Sequence, residues 1–214
     1  MAAKSAIVEA LLERHGRSFA EELGIPIAKN TPSPLFRLLC FALLAGARIS
    51  GAIAVSAARA LADEGWTTAE RLAGATWRER TDVLNHAGYA RYDESTSRML
   101  GETAELLVEE YGGDLRRLRE RAGCDPAEER KLLKDCKGIG DVSANIFFRE
   151  AQAVWGEWYP FADKLALRAA GKLGLGSDAG TLARRVSRGD YPRLVAALVR
   201  CELAGDHQEV KAAA

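Results

Sequence analysis

The chain has no surplus of charge with which to attract a polyanion. Its 214 residues include 30 lysines and arginines against 30 aspartates and glutamates, so the formal net charge is zero. General basicity is therefore excluded as a source of affinity for nucleic acids or acidic membranes. Any affinity for DNA must come from locally clustered cations or from backbone N–H groups.

Paired cysteines and long apolar runs are also missing. No two of the four cysteines are spaced closely enough for a metal or iron–sulfur site, so we predict no metal and expect reduced thiols at Cys40, Cys124, Cys136 and Cys201. The longest apolar run, 38–47, is far shorter than a membrane span, and no membrane partner is predicted. Residues 1–10 are too polar for a signal peptide, and we expect the protein in the cytoplasm.

The sequence has few β-branched runs and no alternating strand pattern, whereas Ala, Leu, Arg and Glu are abundant. This composition favours an all-α protein. Apolar spacing and capping residues predict helices over 7–23, 35–45, 52–64, 68–73, 76–85, 95–111, 115–122, 126–135, 142–154, 164–173, 179–187 and 191–204. The tail, 208–214, is expected to fray.

The most informative stretch is KGIGDVSAN, residues 137–145. Gly138 and Gly140 flank Ile139 between two helical patterns, and a turn without Cβ atoms lets backbone N–H groups approach an anion. The helix that begins near Val142 adds the positive end of its dipole. We predict a phosphate site here. The alternative is an ordinary helix–helix corner with a glycine cap.

A single carboxylate, Asp163, opens the helix predicted over 164–173. An aspartate in that position is commonly only an N-cap. In a cleft, the same carboxylate could stabilise an oxocarbenium-like sugar cation or activate a water molecule. The two roles are compatible.

Together these motifs resemble the helix-hairpin-helix DNA glycosylases of the endonuclease III and adenine-DNA glycosylase type. CKGIGDVSAN at 136–145 resembles their hairpin, LPGVGRKTAN. Asp163, Arg168 and the triplet LGL at 173–175 resemble their later segment, VDTHVxRVxxRLGL. GYARYDESTSRML at 88–100 and SPLFRLLCFALLAGA at 33–47 resemble further elements of that family.

The resemblance implies an all-α, two-lobed helix-hairpin-helix glycosylase fold. One lobe is a central helical bundle, 34–151, and the other combines 1–33 with 152–214. The hairpin is expected at the edge of a cleft, with Asp163 facing into it from the other lobe. The implied activity is base-excision repair, in which a monomer flips a damaged or mispaired base out of duplex DNA and hydrolyses its glycosidic bond.

The resemblance also implies the site residues. Asp163 would be catalytic, and a second group would contact DNA: Lys134, Lys137, Gly138, Ile139, Gly140, Asp141, Val142, Ser143 and Arg48. Arg48 is a candidate to fill the gap left by the flipped nucleotide, because the glutamine that does so in the family is Ala47 here.

Departures from the family pattern change what is expected. Bifunctional members carry a Schiff-base lysine where this chain has Val142, so the enzyme should be monofunctional unless Lys164 lends its amine. Phe41 stands near the carboxylate of adenine-specific members, which lowers the prospect of adenine excision. Cys201 stands alone where many members carry an iron–sulfur cluster, so no cofactor is expected.

Two alternatives remain open. One is a DNA-binding protein of this fold that has lost its chemistry. The other is a helical protein unrelated to DNA, which the neutral charge favours. The aromatic residues between 155 and 159 are similarly ambiguous, since they could stack on an extruded base or pack as a loop over the core.

Overall fold

A computed structural model describes residues 2–214, and no strand occurs in that part of the chain. The α-helices are α1 (Ala2–His15), α2 (Phe19–Glu22), α3 (Pro32–Ala45), α4 (Gly51–Asp63), α5 (Ala69–Ala73), α6 (Trp77–His86), α7 (Asp93–Tyr111), α8 (Leu115–Arg121), α9 (Pro126–Asp135), α10 (Asp141–Ala151), α11 (Lys164–Lys172), α12 (Ala179–Ala183), α13 (Tyr191–Ala204) and α14 (His207–Ala212). Single 3₁₀ turns lie at Ile27–Lys29 and Gly156–Trp158. The all-α prediction is confirmed. Among the described helices, none combines the length and apolarity that a membrane crossing requires.

The helices divide into two compact units. The continuous unit is Leu23–Phe147, and the composite unit joins Met1–Glu22 to Phe148–Ala214. Both boundaries differ from those predicted, which lay between 33 and 34 and between 151 and 152.

Local contacts explain both differences. Arg37 of α3 donates hydrogen bonds to the carbonyls of Leu23 (2.9 Å) and Gly24 (3.2 Å), so the segment before α3 belongs with it. At the other boundary, the Phe148 ring stacks on Trp158 with centroids 3.6 Å apart. That contact ties the end of α10 to the composite unit.

The core of the continuous unit is α3. Ten of its residues are buried, as its almost uniformly apolar sequence predicts. It packs against α4, α7 and α8. The Tyr89 hydroxyl donates to the Leu44 carbonyl at 3.0 Å, which satisfies a polar group at the buried end of α3.

Side-chain caps begin the flanking helices. Ser50 caps α4, because its hydroxyl accepts the Ile53 N–H at 3.3 Å. Thr68 caps α5, and Thr76 with Glu79 forms a full capping box for α6.

The composite unit is built around α13, which packs against α1 and α11. Its buried cluster includes Leu11, Leu173, Tyr191 and Leu198.

The prediction of a single first helix over 7–23 is wrong. Ser18 and Glu21 form a second capping box, with Ser18 N–H to Glu21 Oε2 at 2.8 Å and Glu21 N–H to Ser18 Oγ at 3.1 Å, and this starts α2 as a separate helix.

The prediction of a frayed tail is also wrong. Gly205, at φ +75°, ends α13 and turns the chain into α14, whose Val210 is fully buried. Since α14 packs on α1, the last turn of the chain is held by burial of an apolar side chain.

Candidate nucleic-acid interface and carboxylate site

The predicted hairpin is a tight turn between α9 and α10. The Ile139 N–H donates to the Cys136 carbonyl at 3.0 Å, and Gly138 between them has φ +83°. Cys136 and Ile139 are buried, whereas Gly138 and Gly140 are exposed. The apolar side chains thus anchor the turn from below and leave its glycine backbone open to solvent.

Helix α7 holds the turn in place. The Thr103 hydroxyl donates to the Lys137 carbonyl at 2.9 Å. A Cβ on Gly138 would lie 2.8 Å from the sulfur of Met99, whereas a Cβ on Gly140 would meet nothing within 4 Å. Gly138 is therefore required by the fold itself. Gly140 is not, and its open surroundings leave room for a ligand.

The first turn of α10 begins at Asp141, directly after Gly140. The leading N–H groups of a helix have no partner inside the helix, and they carry its positive dipole end. Asp141 and Val142 are exposed, and Val142 retains 58% of its surface. The hairpin backbone and this helix end form one solvent-facing surface, which we call the hairpin surface.

Ser143 lies beneath that surface. Only 3% of it is exposed, and a Cβ on Gly46 would overlap its hydroxyl. The predicted DNA contacts of Ser143 and of buried Ile139 are therefore limited to their backbone groups. The same packing sets the turn after α3 against the start of α10. Gly46, which makes that packing possible, was missed by sequence reasoning.

Arg48 belongs to this turn between α3 and α4 and is exposed. It stands two residues beyond Gly46, so the continuous unit carries it on the segment that contacts the hairpin helix. A long cation there is free to project, as a residue that fills a gap in duplex DNA must.

The cations of the hairpin surface are partly neutralised. Lys134 Nζ contacts Asp141 Oδ1 at 2.8 Å, and this hydrogen bond lowers the pKa of the Asp141 carboxyl. Lys131 is paired with Glu128 at 2.9 Å. Among the described residues, Lys137 has no carboxylate partner and is exposed. The surface therefore offers backbone donors and about one unpaired cation, rather than a strong positive field.

Asp163 is the N-cap of α11. Its Oδ1 accepts the Ala166 N–H at 3.2 Å, which the N-cap interpretation predicts. Its Oδ2 accepts a hydrogen bond of 2.6 Å from Nη2 of Arg149, and each side chain is only 7% exposed. Arg149 Nε is buried and has no hydrogen-bond partner among the described residues. The carboxylate is thus held rigidly, with both oxygens engaged.

Gln152 fixes the approach to Asp163. Its amide N–H groups donate to the carbonyls of Arg149 (2.9 Å) and Phe161 (3.0 Å), and its Oε1 accepts the Phe161 N–H at 2.9 Å. Phe161 lies two residues before Asp163, and the buried Gln152 side chain satisfies both its N–H and its carbonyl group. Sequence reasoning missed Arg149 and Gln152, although their spacing of three on a helix places them on one face.

The comparisons identify the fold. No family model matches the chain, and no curated protein matches it. Two solved structures do: a trapped endonuclease III–DNA covalent intermediate (an estranged-adenine complex) and a non-covalent endonuclease III–DNA complex. Each has a TM-score of 0.51 and 17% sequence identity to this chain. The match to the first covers 78% of this chain and 73% of the matched chain. The match to the second covers 79% of this chain and 72% of the matched chain.

The chain has the endonuclease III fold. The predicted fold family is thereby confirmed. At this low identity, the role of each residue has to be argued from its own surroundings.

One departure from the endonuclease III pattern is visible at the surface. Val142, which the motif resemblance aligns with the Schiff-base lysine, is exposed on the hairpin surface. A valine side chain cannot act as a nucleophile. Its exposure shows that packing does not require an apolar residue there.

The aromatic loop is packed, which decides between the two sequence-based interpretations in favour of a loop over the core. Trp155 is fully buried and Trp158 is 7% exposed. The Trp158 ring lies edge-on to Phe161 at 5.3 Å as well as stacking on Phe148. Neither tryptophan presents a free face to an extruded base in this conformation.

Proposed function

We propose that this protein is a monofunctional DNA N-glycosylase of base-excision repair. It binds duplex DNA as a monomer, extrudes a damaged or mispaired base and hydrolyses the N-glycosidic bond. The proposal includes a cytoplasmic, nucleoid-associated location. The observation that carries it is the open glycine turn at the start of α10, in a chain whose fold is otherwise seen in endonuclease III bound to DNA.

The hairpin surface supplies the DNA contact. Backbone N–H groups of the turn and the first turn of α10 receive a phosphate oxygen, and Lys137 adds one cation. Since few charges take part, affinity should be modest, and each phosphate contact should contribute a slope of about −0.9 to the dependence of log K on log salt. Arg48 fills the space vacated by the extruded nucleotide.

Asp163 supplies the chemistry. Loss of the base leaves positive charge on the sugar, and a fixed carboxylate stabilises that charge or orients the attacking water. Extrusion costs a few kcal/mol and is cheapest where the base already pairs poorly. Selectivity for damaged sites therefore begins before a pocket reads the base.

The absence of an amine at Val142 makes the reaction hydrolytic. The product is an intact strand with an abasic site, which hot alkali then cleaves. Strand cleavage without alkali would require an amine nucleophile such as Lys164, which is exposed at the first position of α11.

A second candidate function is a DNA-binding protein of this fold without catalysis. The Arg149–Asp163 ion pair favours it, because a buried guanidinium 2.6 Å away offsets the negative charge that the reaction needs. On this alternative, the protein binds distorted duplexes and releases no base from any of them.

The test is base release from duplexes that each carry one lesion: an oxidised pyrimidine, a uracil or thymine mispair, an alkylated purine, or adenine opposite oxidised guanine. Each is analysed with and without hot alkali, for the wild type and Asp163→Asn. Asp178→Asn is the matched control, because Asp178 is also an N-cap, of α12, and is exposed.

Cleavage only after alkali, lost in Asp163→Asn and kept in Asp178→Asn, supports the proposal. Tight binding without release on every duplex assigns the protein to the second function. Absence of salt-dependent duplex binding would place it outside DNA metabolism altogether.

A further inference from the structure

A cluster of mixed donor residues lies in the composite unit. His15 ends α1, Cys201 lies in α13, and Asp206 follows the glycine that ends α13. One donor atom from each residue lies within 4.8 Å of the other two. His15 is far from Cys201 and Asp206 in the sequence, so the fold brings it to the other two.

Asp206 has one oxygen in use and one without a partner. Its Oδ2 accepts from Arg14 Nε at 2.6 Å and contacts His15 Nε2 at 2.8 Å. Its Oδ1 is buried and makes no well-aligned hydrogen bond among the residues that the structure describes, although the Cys201 thiol also interacts with this carboxyl. A buried carboxylate oxygen left unsatisfied is costly and uncommon, so this atom has room for a hydrogen-bond donor or a cation.

The donor set matches one class of ligand. An imidazole nitrogen, a thiolate sulfur and a carboxylate oxygen are ligands that zinc accepts, usually with tetrahedral geometry. At zinc bond lengths, tetrahedral donors stand about 3.3–3.8 Å apart, so these side chains need only small rotations. We propose that His15, Cys201 and Asp206 bind one divalent transition-metal ion, with zinc preferred.

Metal binding releases one proton and rearranges the contacts of His15 and Asp206. Cys201 gives its proton to solvent and binds through the thiolate. The proton that His15 Nε2 donates to Asp206 moves through solvent to Nδ1, which frees the Nε2 lone pair for the metal. Asp206 binds through Oδ1 and keeps Arg14 on Oδ2, so the existing ion pair becomes an outer contact that orients the ligand. Because the thiol must lose its proton to bind, metal affinity should increase with pH.

The site has a route to solvent. Arg14 and His15 line an open cavity of about 370 Å³, so solvent reaches the His15 side of the cluster. Four arginines line the cavity. Arg14 is paired with Asp206, Arg193 with Asp190 at 3.1 Å and Arg200 with Glu22, whereas Arg17 donates to the Glu21 carbonyl. These pairs limit the repulsion that an entering cation meets. A bound ion would tie the end of α1 to the end of α13.

Cobalt titration of the purified full-length protein tests this site independently of DNA chemistry. Co²⁺ bound by a thiolate in a tetrahedral site gives a near-ultraviolet charge-transfer band and visible d–d bands, which one equivalent of zinc should abolish. The ligand variants are His15→Gln, Asp206→Asn and Cys201→Ser. The control is Cys124→Ser, since Cys124 is the exposed free cysteine.

We expect one cobalt per chain in the wild type and in Cys124→Ser. Loss of an outer contact typically weakens a metal site about 10–100-fold, so loss of a ligand should weaken binding by at least about 100-fold. Circular dichroism reports whether each variant retains its helices. Where Cys201→Ser does not fold, the other two variants decide.

The inference is overturned if wild type gives no charge-transfer band with excess cobalt. It is also overturned if the band is lost in Cys124→Ser, or if it persists in both His15→Gln and Asp206→Asn. None of these outcomes bears on base release, so the metal site and the proposed function fail or stand separately.

Discussion

The guanidinium of Arg149 donates a 2.6 Å hydrogen bond to Asp163 Oδ2, and both side chains are buried. Asp163 therefore forms a buried ion pair in addition to capping α11, and the charge of each side chain is balanced mainly by the charge of the other. Removal of either partner leaves an uncompensated charge in a region of low dielectric constant.

The first prediction concerns stability. Asp163→Asn and Arg149→Gln should each lower the free energy of unfolding by about 3–5 kcal/mol, because each leaves one buried charge unpaired. The double variant should be destabilised by less than the sum of the two, since no lone charge remains. Urea denaturation of the four proteins measures this coupling.

Asp178→Asn, which changes an exposed N-cap, should stay within about 0.5 kcal/mol of wild type. Additive effects at positions 163 and 149 would contradict an energetically coupled pair.

A second prediction separates the two hairpin glycines. Gly138→Ala forces an L-residue to φ +83° against Met99, so it should destabilise the fold by about 1–2 kcal/mol or more. Gly140→Ala meets no protein atom and should cost less than about 1 kcal/mol. Yet it should weaken duplex binding by about tenfold, since its Cβ would occupy the space in which we propose that a phosphate binds. Thermal melts and fluorescence anisotropy measure the two effects.

Gly171→Ala is the control for this pair, because Gly171 is exposed on α11 and its Cβ would also meet nothing within 4 Å. Its duplex affinity should match that of wild type. If Gly140→Ala binds DNA as wild type does, the hairpin surface does not contact phosphate.

A third prediction installs the missing amine. Val142 is 58% exposed, so Val142→Lys should fold normally. On a duplex from which the base is released, the new amine should form a Schiff base with the abasic sugar, and borohydride should trap a covalent protein–DNA complex. Val142→Gln has similar bulk without the nucleophile and should give none. Trapping by the wild-type protein would show that another amine already serves, and the monofunctional proposal would be abandoned.

A fourth prediction concerns acid stability. Burial alone would raise the pKa of Glu202, but hydrogen bonds from Lys172, His207 and Arg168 outweigh it and lower the pKa to about 2. A depressed carboxylate pKa contributes stability above the unfolded value near 4.5, and that contribution is lost as the pH falls toward 2. Glu202→Gln should therefore melt at a lower temperature than wild type at pH 7, with the difference shrinking between pH 4.5 and 2. A difference independent of pH would show that the carboxylate charge is not the stabilising feature.

The parts of the fold that follow from local sequence were predictable. Gly138 indicates the hairpin, because a left-handed turn favours a residue without Cβ. Asp163 indicates the start of α11, because N-cap side chains accept hydrogen bonds from helix N–H groups. The apolar α3 was recognisable for the same reason, since its uniform hydrophobicity requires burial. The break between α1 and α2 also has a local sequence pattern, a capping box of Ser18 followed three residues later by Glu21. The regular apolar spacing on both sides of it favoured one continuous helix instead.

Contacts between distant segments were not predictable from one sequence. Nothing in the pattern around Arg149 says that it meets Asp163, since the loop between them can close in many ways. His15 and Cys201 are 186 positions apart, so a rule based on cysteine spacing could not find them. The prediction for the tail was wrong for a related reason. Val210 is ordered because it packs on an apolar surface that distant segments of the composite unit provide.

The most direct test of the account is the single-turnover rate of base release by Asp163→Asn on the best lesion duplex, with duplex affinity measured in parallel. We expect the rate to fall by about 10²–10³-fold, the effect of removing one preorganised electrostatic group, with unchanged affinity for DNA. Asp178→Asn should release the base at the wild-type rate. Release by folded Asp163→Asn at the wild-type rate would contradict the assignment of Asp163 and, with it, the proposed mechanism.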